Sequence, residues 1–128
     1  MAFWPDFYTS KRTLWTKDGQ NRDLVFQSGY AVFNLKGTGQ TWHGDQVWIL
    51  TDAVWTPTPA VDATASLASI SNEHTAVDAG WATDALNTAL YNNRILLQVD
   101  LAIRDIDGWL HRVAYHVTAV GKLGGWPA

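Results

Sequence analysis

The chain has 128 residues, and only 16% of them carry a charge, which is well below the roughly 25% of ordinary domains. This length suits a single domain over residues 1–128, and the absence of cysteine excludes disulfides and thiolate metal sites. The net charge is −3 and the basic residues are scattered over both ends of the chain, so nucleic acid is not an expected partner. Neither a signal peptide nor an apolar run long enough for a bilayer is found, which predicts a soluble protein with no membrane partner.

Residues 1–9 are rich in aromatic side chains and follow neither a strand period nor a helix period. They therefore predict an extended N-terminal arm. The aromatic residues of this arm are Phe3, Trp4, Phe7 and Tyr8.

Short β-like runs then alternate with turn sequences up to residue 51. Turns are predicted at 17–21 and at Ser28–Gly29, and a loop is predicted at 36–40. The run 46–51 is apolar on both faces, which predicts a strand that is central in its sheet or covered.

The middle of the chain begins with a break in the strand pattern. Prolines stiffen the segment 56–60, which is predicted to be a spacer. The next residues, 61–71, predict a loop or a weak strand. From 78 to 91 apolar residues recur at the spacing of one helical face, and Asn92–Asn93 follow as a stop, so this segment predicts the only helix.

The clearest alternation of apolar and polar residues runs from Ile95 to Ile103 and predicts a strand. A second strand, 109–120, follows closely, so the two are predicted to form a hairpin. A two-residue Asp-Gly loop would set core residues opposite solvent residues. A three-residue loop at 106–108 instead pairs Leu101 with Val113, and this register is the prediction.

These elements together predict a mainly β fold. The expected architecture is an antiparallel β-sandwich or small barrel of about seven strands, with one short helix closing an end.

No arrangement of residues in the sequence predicts a catalytic, metal-binding or phosphate-binding site. His111 and His116 lie five positions apart on a predicted strand, so their side chains point to opposite faces and cannot share an ion. The chain also lacks a cysteine nucleophile, a Gly-x-Ser-x-Gly elbow and a phosphate-binding glycine loop. We therefore predict a protein that is not an enzyme and has no catalytic, cofactor or metal site.

Tryptophan is the unusual component, with eight copies. Trp15, Trp48 and Trp81 lie on strand or helix periods and are predicted to belong to the core. The remaining copies fall in arms, loops or turn flanks, where such rings anchor protein interfaces or stack on sugars. They are Trp4, Trp42, Trp55, Trp109 and Trp126.

Both ends of the chain carry a Trp-Pro pair, and at the C-terminus this pair follows two glycines in the predicted tail 122–128. Solvated aromatic arms are a liability for a free monomer, so both arms are predicted to dock, preferentially on neighbouring subunits. The predicted subunit-interface residues are Phe3, Trp4, Phe7, Tyr8 and Trp126.

The low charge, the missing active site and the aromatic arms lead to one leading hypothesis. The chain is expected to be a structural building block of a larger particle, with a tailed-bacteriophage virion component as the specific hypothesis. Its partners would be copies of itself and other proteins of the assembly. The alternative hypothesis is a carbohydrate-binding β-sandwich module that stacks Trp42, Trp55 and Trp109 on a glycan.

Overall fold

The computed structural model describes residues 2–36, 43–72, 80–104 and 108–126. These residues form nine strands and no helix. The strands are β1 (Ala2–Phe3), β2 (Phe7–Lys17), β3 (Asp23–Lys36), β4 (His43–Trp55), β5 (Ala60–Asn72), β6 (Gly80–Tyr91), β7 (Arg94–Arg104), β8 (Gly108–Gly121) and β9 (Leu123–Gly125).

The strands form two sheets that pack face to face, so the predicted β-sandwich is confirmed. Sheet A has the order β1-β4-β7-β6, and β9 also pairs with β4. Sheet B has the order β2-β3-β8-β5. Neighbouring strands are antiparallel except for β1, which runs parallel to β4.

The core lies between the two sheets and is built from every second residue of their central strands. Successive side chains of a strand point to opposite faces, so the alternating apolar residues all reach the same side. The buried apolar residues of the inner faces are Val47, Ile49, Ala53, Trp55, Ile95, Leu97, Val99 and Leu101 in sheet A and Val25, Ala31, Phe33, Leu110, Val113, Tyr115, Val117 and Ala119 in sheet B.

The predicted hairpin between the last two long strands is wrong, although both strands exist. β7 pairs with β4 and β6, whereas β8 pairs with β3 and β5, so the chain crosses from one sheet to the other between them. Leu101 and Val113 are both buried, but they reach the core from opposite sheets. The alternation of apolar and polar residues shows which face of a strand is buried. It does not show whether two such strands pair by hydrogen bonds in one sheet or lie in opposite sheets with their apolar faces packed across the core. Residues 105–107 of the predicted loop lie outside the described residues.

The predicted helix over 78–91 is also wrong, because Gly80–Tyr91 forms strand β6, while residues 78 and 79 lie outside the described residues. A register shift between Thr83 and Ala85 interrupts its pairing with β7 and disrupts the two-residue period that would have marked a strand. Asn92 and Asn93, predicted as a helix stop, have φ values of 50° and 61° and form the turn of the β6–β7 hairpin. Two consecutive positive φ values are typical of a type I′ turn, in which asparagine is favoured.

The other predicted connections have mixed outcomes. The turn at 17–21 is confirmed and joins β2 to β3, and 46–51 is confirmed as part of strand β4. The segment 56–60 links β4 in sheet A to β5 in sheet B. The stretch 61–71, predicted as a loop or weak strand, belongs to the long edge strand β5. Of the loop predicted at 36–40, residue 36 ends β3 and the rest lies outside the described residues.

The turn predicted at Ser28–Gly29 is wrong, because both residues lie within strand β3. Gly29 lies at a close approach between strands and not in a turn. A Cβ atom at this position would lie 3.0 Å from the Tyr115 hydroxyl and 3.2 Å from the Thr9 carbonyl oxygen. Glycine in a strand often marks such a close approach of another part of the chain.

Asp23, at the start of β3, connects three separate parts of the chain. Its carboxylate accepts hydrogen bonds from Trp15 Nε1 at 3.1 Å and from the Leu123 backbone N–H at 2.9 Å. It also lies 2.7 Å from Lys17 Nζ. The interaction with Lys17, followed by the hydrogen bond from Leu123, lowers the pKa of Asp23 from 3.8 to about 2.

This carboxylate predicts a defined loss of stability in acid. Because the pKa of Asp23 is lower in the folded state, its stabilising contribution is complete above roughly pH 4 and is lost as the pH falls through about 2. We expect the free energy of unfolding of the wild type to fall more steeply in this window than that of Asp23→Asn. Urea unfolding at a series of acidic pH values measures both slopes. Asp18, whose pKa is lowered by hydrogen bonds from Arg22, contributes equally to both proteins. Equal slopes would contradict the role given to Asp23.

Candidate functional site

Two of the predicted interface residues, Phe3 and Tyr8, are half-buried against the core of their own chain. Phe3 lies in β1, which pairs with β4. The Tyr8 hydroxyl accepts a hydrogen bond from the Leu50 N–H at 3.0 Å, and its ring meets Tyr115 edge-on. Burial raises the pKa of both phenols, so both hydroxyls stay protonated. The described part of the segment 1–9 is therefore extended, but β1 joins sheet A and β2 joins sheet B.

Trp4 is 44% exposed but does not stand alone. Its ring contacts Trp48 and Tyr91 edge-on, with centroid distances of 5.4 and 5.6 Å. Trp48 Nε1 donates a hydrogen bond to the side-chain oxygen of Gln46, whose Nε2 donates to Asp100 at 2.7 Å. Trp48, predicted as a core residue, is thus half-buried on the outer face of sheet A, where the N-terminal segment covers it.

Phe7 and Trp126 are exposed predicted interface residues that, unlike Trp4, make no ring contact within the described residues. Phe7 is 56% exposed at the start of β2, and Trp126 is 42% exposed directly after β9. In the part of the chain that the structure describes, neither ring is stacked on another aromatic ring. Their contact with a neighbouring subunit stays a prediction.

The predicted sugar-stacking residues do not form a platform in the described structure. Trp55 is 1% exposed and belongs to the core, so its prediction as a stacking residue is wrong. It ends strand β4 with its ring on the inner face, because the strand continues beyond the predicted 46–51. Trp109 is half-buried, and Trp42 lies outside the described residues.

Large apolar side chains are instead exposed along β2 and its neighbour β3, where the sequence predicted no binding surface. Leu14 is 71% exposed, Phe26 42% and Tyr30 38%. Leu14 and Phe26 are register partners on the outer face of sheet B, and Tyr30 lies on the same face. We call these three residues the outer apolar patch. Trp15, predicted as a core residue, is 57% exposed on the opposite face of β2.

A sequence signal for this surface exists in the pair Leu14-Trp15. Adjacent residues of a strand point to opposite faces, so this pair makes both faces of β2 apolar. Such a strand is normally covered on both sides. In the structure β2 is an edge strand that pairs only with β3 among the described strands, and its residues 10–17 are all exposed.

Charge is distributed unevenly between the two edges of sheet B. The edge strand β2 carries Lys11, Arg12 and Lys17, whereas no Lys or Arg occurs between residues 37 and 93, a stretch that includes the other edge strand, β5. Lys11 and Lys17 are paired with aspartates of their own chain at 2.8 and 2.7 Å. Arg12 on β2 and Asp62 on β5 are exposed, and neither has an ion pair with another described residue.

The outer face of sheet B also holds two adjoining shallow depressions of about 640 and 360 Å³. Arg12, Ser28 and His116 border both of them and lie in one row across β2, β3 and β8. Phe26 borders the larger depression and Tyr30 the smaller. This face therefore combines aromatic rings, a hydroxyl and basic groups within one concave surface.

No metal centre is found within the described ranges, since no three His, Asp or Glu side chains there are grouped so that they could hold an ion. Over the same ranges, nothing helical has the length and apolarity needed to cross a bilayer.

Comparison with known proteins identifies no relative of this chain. No protein-family model, no curated protein and no solved structure matches the chain. The candidate site therefore rests on its own geometry: an edge strand with apolar side chains on both faces, next to the outer apolar patch.

Proposed function

We propose that the chain is a non-enzymatic structural protein that assembles with copies of itself into a larger particle, as virion components of tailed bacteriophages do. The observation that carries this proposal is the exposure of the outer apolar patch beside the exposed edge strand β2. Exposed apolar surface of this kind marks interaction sites in soluble proteins.

The free energy available from burying these exposed side chains is large enough to support a subunit interface. Complete burial of one large apolar side chain contributes about 1.5–3 kcal/mol, so burial of the exposed parts of these three residues, which are 38–71% exposed, contributes a few kcal/mol before association costs are subtracted. Trp15 adds a further large ring on the other face of β2. Aromatic rings are enriched among the residues that dominate interface energies.

The charge distribution favours a second copy of the chain as the partner. One edge of sheet B carries Arg12 and the opposite edge carries Asp62, and neither has an ion pair with another described residue. Complementary charges on one molecule allow identical copies to attract each other through different surfaces. The virion component is the concrete form of the proposal, and its support is the general character of the chain: small, cysteine-free, rich in strands and weakly charged.

The proposal predicts that a polar substitution in the outer apolar patch dissociates the assembly without unfolding the subunit. Leu14→Ser removes an apolar side chain that is 71% exposed, so the subunit's own stability should change by no more than about 0.5 kcal/mol. The mass in solution should fall markedly. Leu14→Met, which keeps the apolar area, is the matched control and should retain the mass. Light scattering reports the mass and circular dichroism the fold. An unchanged mass for Leu14→Ser would remove the patch from the interface.

A carbohydrate-binding module is the second candidate, and the observation that favours it is the pair of depressions on the outer face of sheet B. Phe26 and Tyr30 offer rings for a sugar face, while Arg12 and His116 offer donors for a carboxylate. Calorimetric titration with a uronic-acid oligosaccharide and with its neutral counterpart tests this candidate. If neither titration produces heat, the chain does not bind these sugars and the candidate is excluded for them.

A further inference from the structure

We propose that copies of this chain associate head to tail, with the free edge of β2 in one copy pairing with the free edge of β5 in the next, so that sheet B continues from molecule to molecule. This inference rests on the proposed function and specifies the partner of the edge strand β2, which carries Leu14 of the outer apolar patch. It differs from association about a two-fold axis, in which β2 would pair with β2.

Both strands have one edge without a hydrogen-bonded neighbour among the described strands, although β5 also lies beside β6 of sheet A. In sheet B, β2 pairs only with β3 and β5 only with β8 among the described strands. Each also has a regular stretch, which is Arg12 to Lys17 in β2 and Ala60 to Leu67 in β5, where the register with the neighbouring strand is uninterrupted. Unpaired backbone groups along such stretches form a template for another strand.

The strand directions suit this arrangement. Each neighbouring pair in sheet B is antiparallel, so its two edge strands, β2 and β5, run antiparallel to each other. A second copy placed beside the first in the same orientation therefore brings its β5 antiparallel to β2. The contact continues the pattern that already holds sheet B together.

The side chains of the two edges are complementary on the outer face. Arg12 and Leu14 project from β2, as their register partners Ser28 and Phe26 show. On β5 the corresponding face carries Asp62, with small side chains at Ala60 and Thr64 on either side. Opposite charges directly across two strands stabilise their pairing, and a small residue leaves space for the exposed leucine.

Like charges disfavour the symmetric alternatives. Pairing of β2 with β2 about a two-fold axis near Arg12 brings together the arginines of two copies, and pairing of β5 with β5 near Asp62 does the same for the aspartates. Lysines often protect an edge strand from such contacts. Here Lys11 and Lys17 form ion pairs with aspartates of their own chain, so their charges are partly neutralised and repel an approaching strand less.

A head-to-tail contact has a consequence for the particle. Each copy uses two different surfaces, so association does not stop at a dimer. It continues until a ring closes or a filament forms.

Charge reversal at the two edges tests the inference. Arg12→Glu alone sets a glutamate opposite Asp62, and Asp62→Arg alone sets a second arginine opposite Arg12, so each variant alone should sediment largely as the 14.2 kDa monomer. An equimolar mixture of the two variants should regain the wild-type mass, because the reversed edge of one variant then meets the reversed edge of the other with opposite charge. Arg112→Glu, on the central strand β8, makes the same change in net charge as Arg12→Glu away from both edges and should keep the wild-type mass.

The outcomes separate this inference from the proposed function. A wild-type chain that is monomeric overturns both. A wild-type chain that assembles while each variant alone keeps its full mass overturns the head-to-tail contact only. Monomeric variants whose mixture stays monomeric also overturn that contact, provided that circular dichroism shows both variants folded.

Discussion

Replacing Trp55 with alanine is expected to lower the free energy of unfolding by about 3–5 kcal/mol. Trp55 is 1% exposed and is one of the largest fully buried side chains of the described core. It ends β4 where β9 pairs with that strand, and its ring lies 3.5 Å from the point that a Cβ atom would occupy if Gly121 carried a side chain. Its removal therefore leaves a cavity where the C-terminal segment meets the core. Urea denaturation measures the loss.

A second substitution separates the volume of this ring from its polar group. Trp55 Nε1 is buried and has no hydrogen-bond partner among the described residues. Removing an unsatisfied buried donor carries no hydrogen-bond penalty, so Trp55→Phe should cost clearly less than Trp55→Ala. If alanine at this position costs less than about 1 kcal/mol, the ring is not part of the core.

Deleting residues 1–8 is expected to destabilise the domain by at least about 3 kcal/mol, a large part of the roughly 5–15 kcal/mol that holds a typical domain together. The deletion removes Phe3 and Tyr8 from the core surface. It also removes the hydrogen bond that Tyr8 accepts from Leu50 and the one that the Asp6 N–H donates to the Val32 carbonyl at 2.8 Å. Thermal and urea unfolding of the truncated chain measure the effect.

Two point variants of adjacent residues show whether this loss comes from core contacts. Tyr8→Phe leaves the Leu50 N–H without its partner and should cost about 1–3 kcal/mol. Phe7→Ser changes a ring that is 56% exposed and should cost no more than about 0.5 kcal/mol. A truncated chain that unfolds at the wild-type midpoint but no longer assembles would restore the hypothesis of an arm that docks only on its neighbours.

The strands with strict alternation were predictable from the sequence, and their neighbours were not. The run from Ile95 to Ile103 has one buried face, and its two-residue period marks β7 as a strand. Whether that face shares a ladder with β8 or stacks on it across the core depends on the path of the connection. The residues 105–107 give no local signal for that path, since Asp-Gly is common both in tight hairpins and in longer loops.

Strand β6 was not predicted because the spacing of its apolar residues fits a helix as well as a strand. Ala85, Leu86 and Ala89 repeat at helical spacing, and alanine and leucine favour helices. Pairing with β7 over the length of the strand overrides that local preference, and the Asn92–Asn93 turn fixes the hairpin. A pair of asparagines between two apolar segments was the sequence signal for this turn.

The sequence predicted that aromatic rings would be exposed, but not which residues would form the candidate site. The excess of aromatic residues predicted exposed rings, and the structure does expose Phe7, Trp15 and Trp126. Position in the chain could not tell which rings stay exposed, because Phe3 is drawn onto the core by the pairing of β1 with β4. Leu14 is exposed because it projects from the outer face of sheet B, whereas Trp15, on the opposite face, is exposed because β2 lies at an edge. Both properties follow from the arrangement of strands in space and not from local sequence.

The solution mass of the purified wild-type protein, measured from micromolar to near-millimolar concentration, decides whether copies of this chain assemble with one another. Sedimentation or light scattering should give a mass that rises with concentration to several multiples of 14.2 kDa. Added salt should lower that mass, because exposed charge pairs are screened. A mass that stays at 14.2 kDa at every concentration would show that the chain does not assemble with itself.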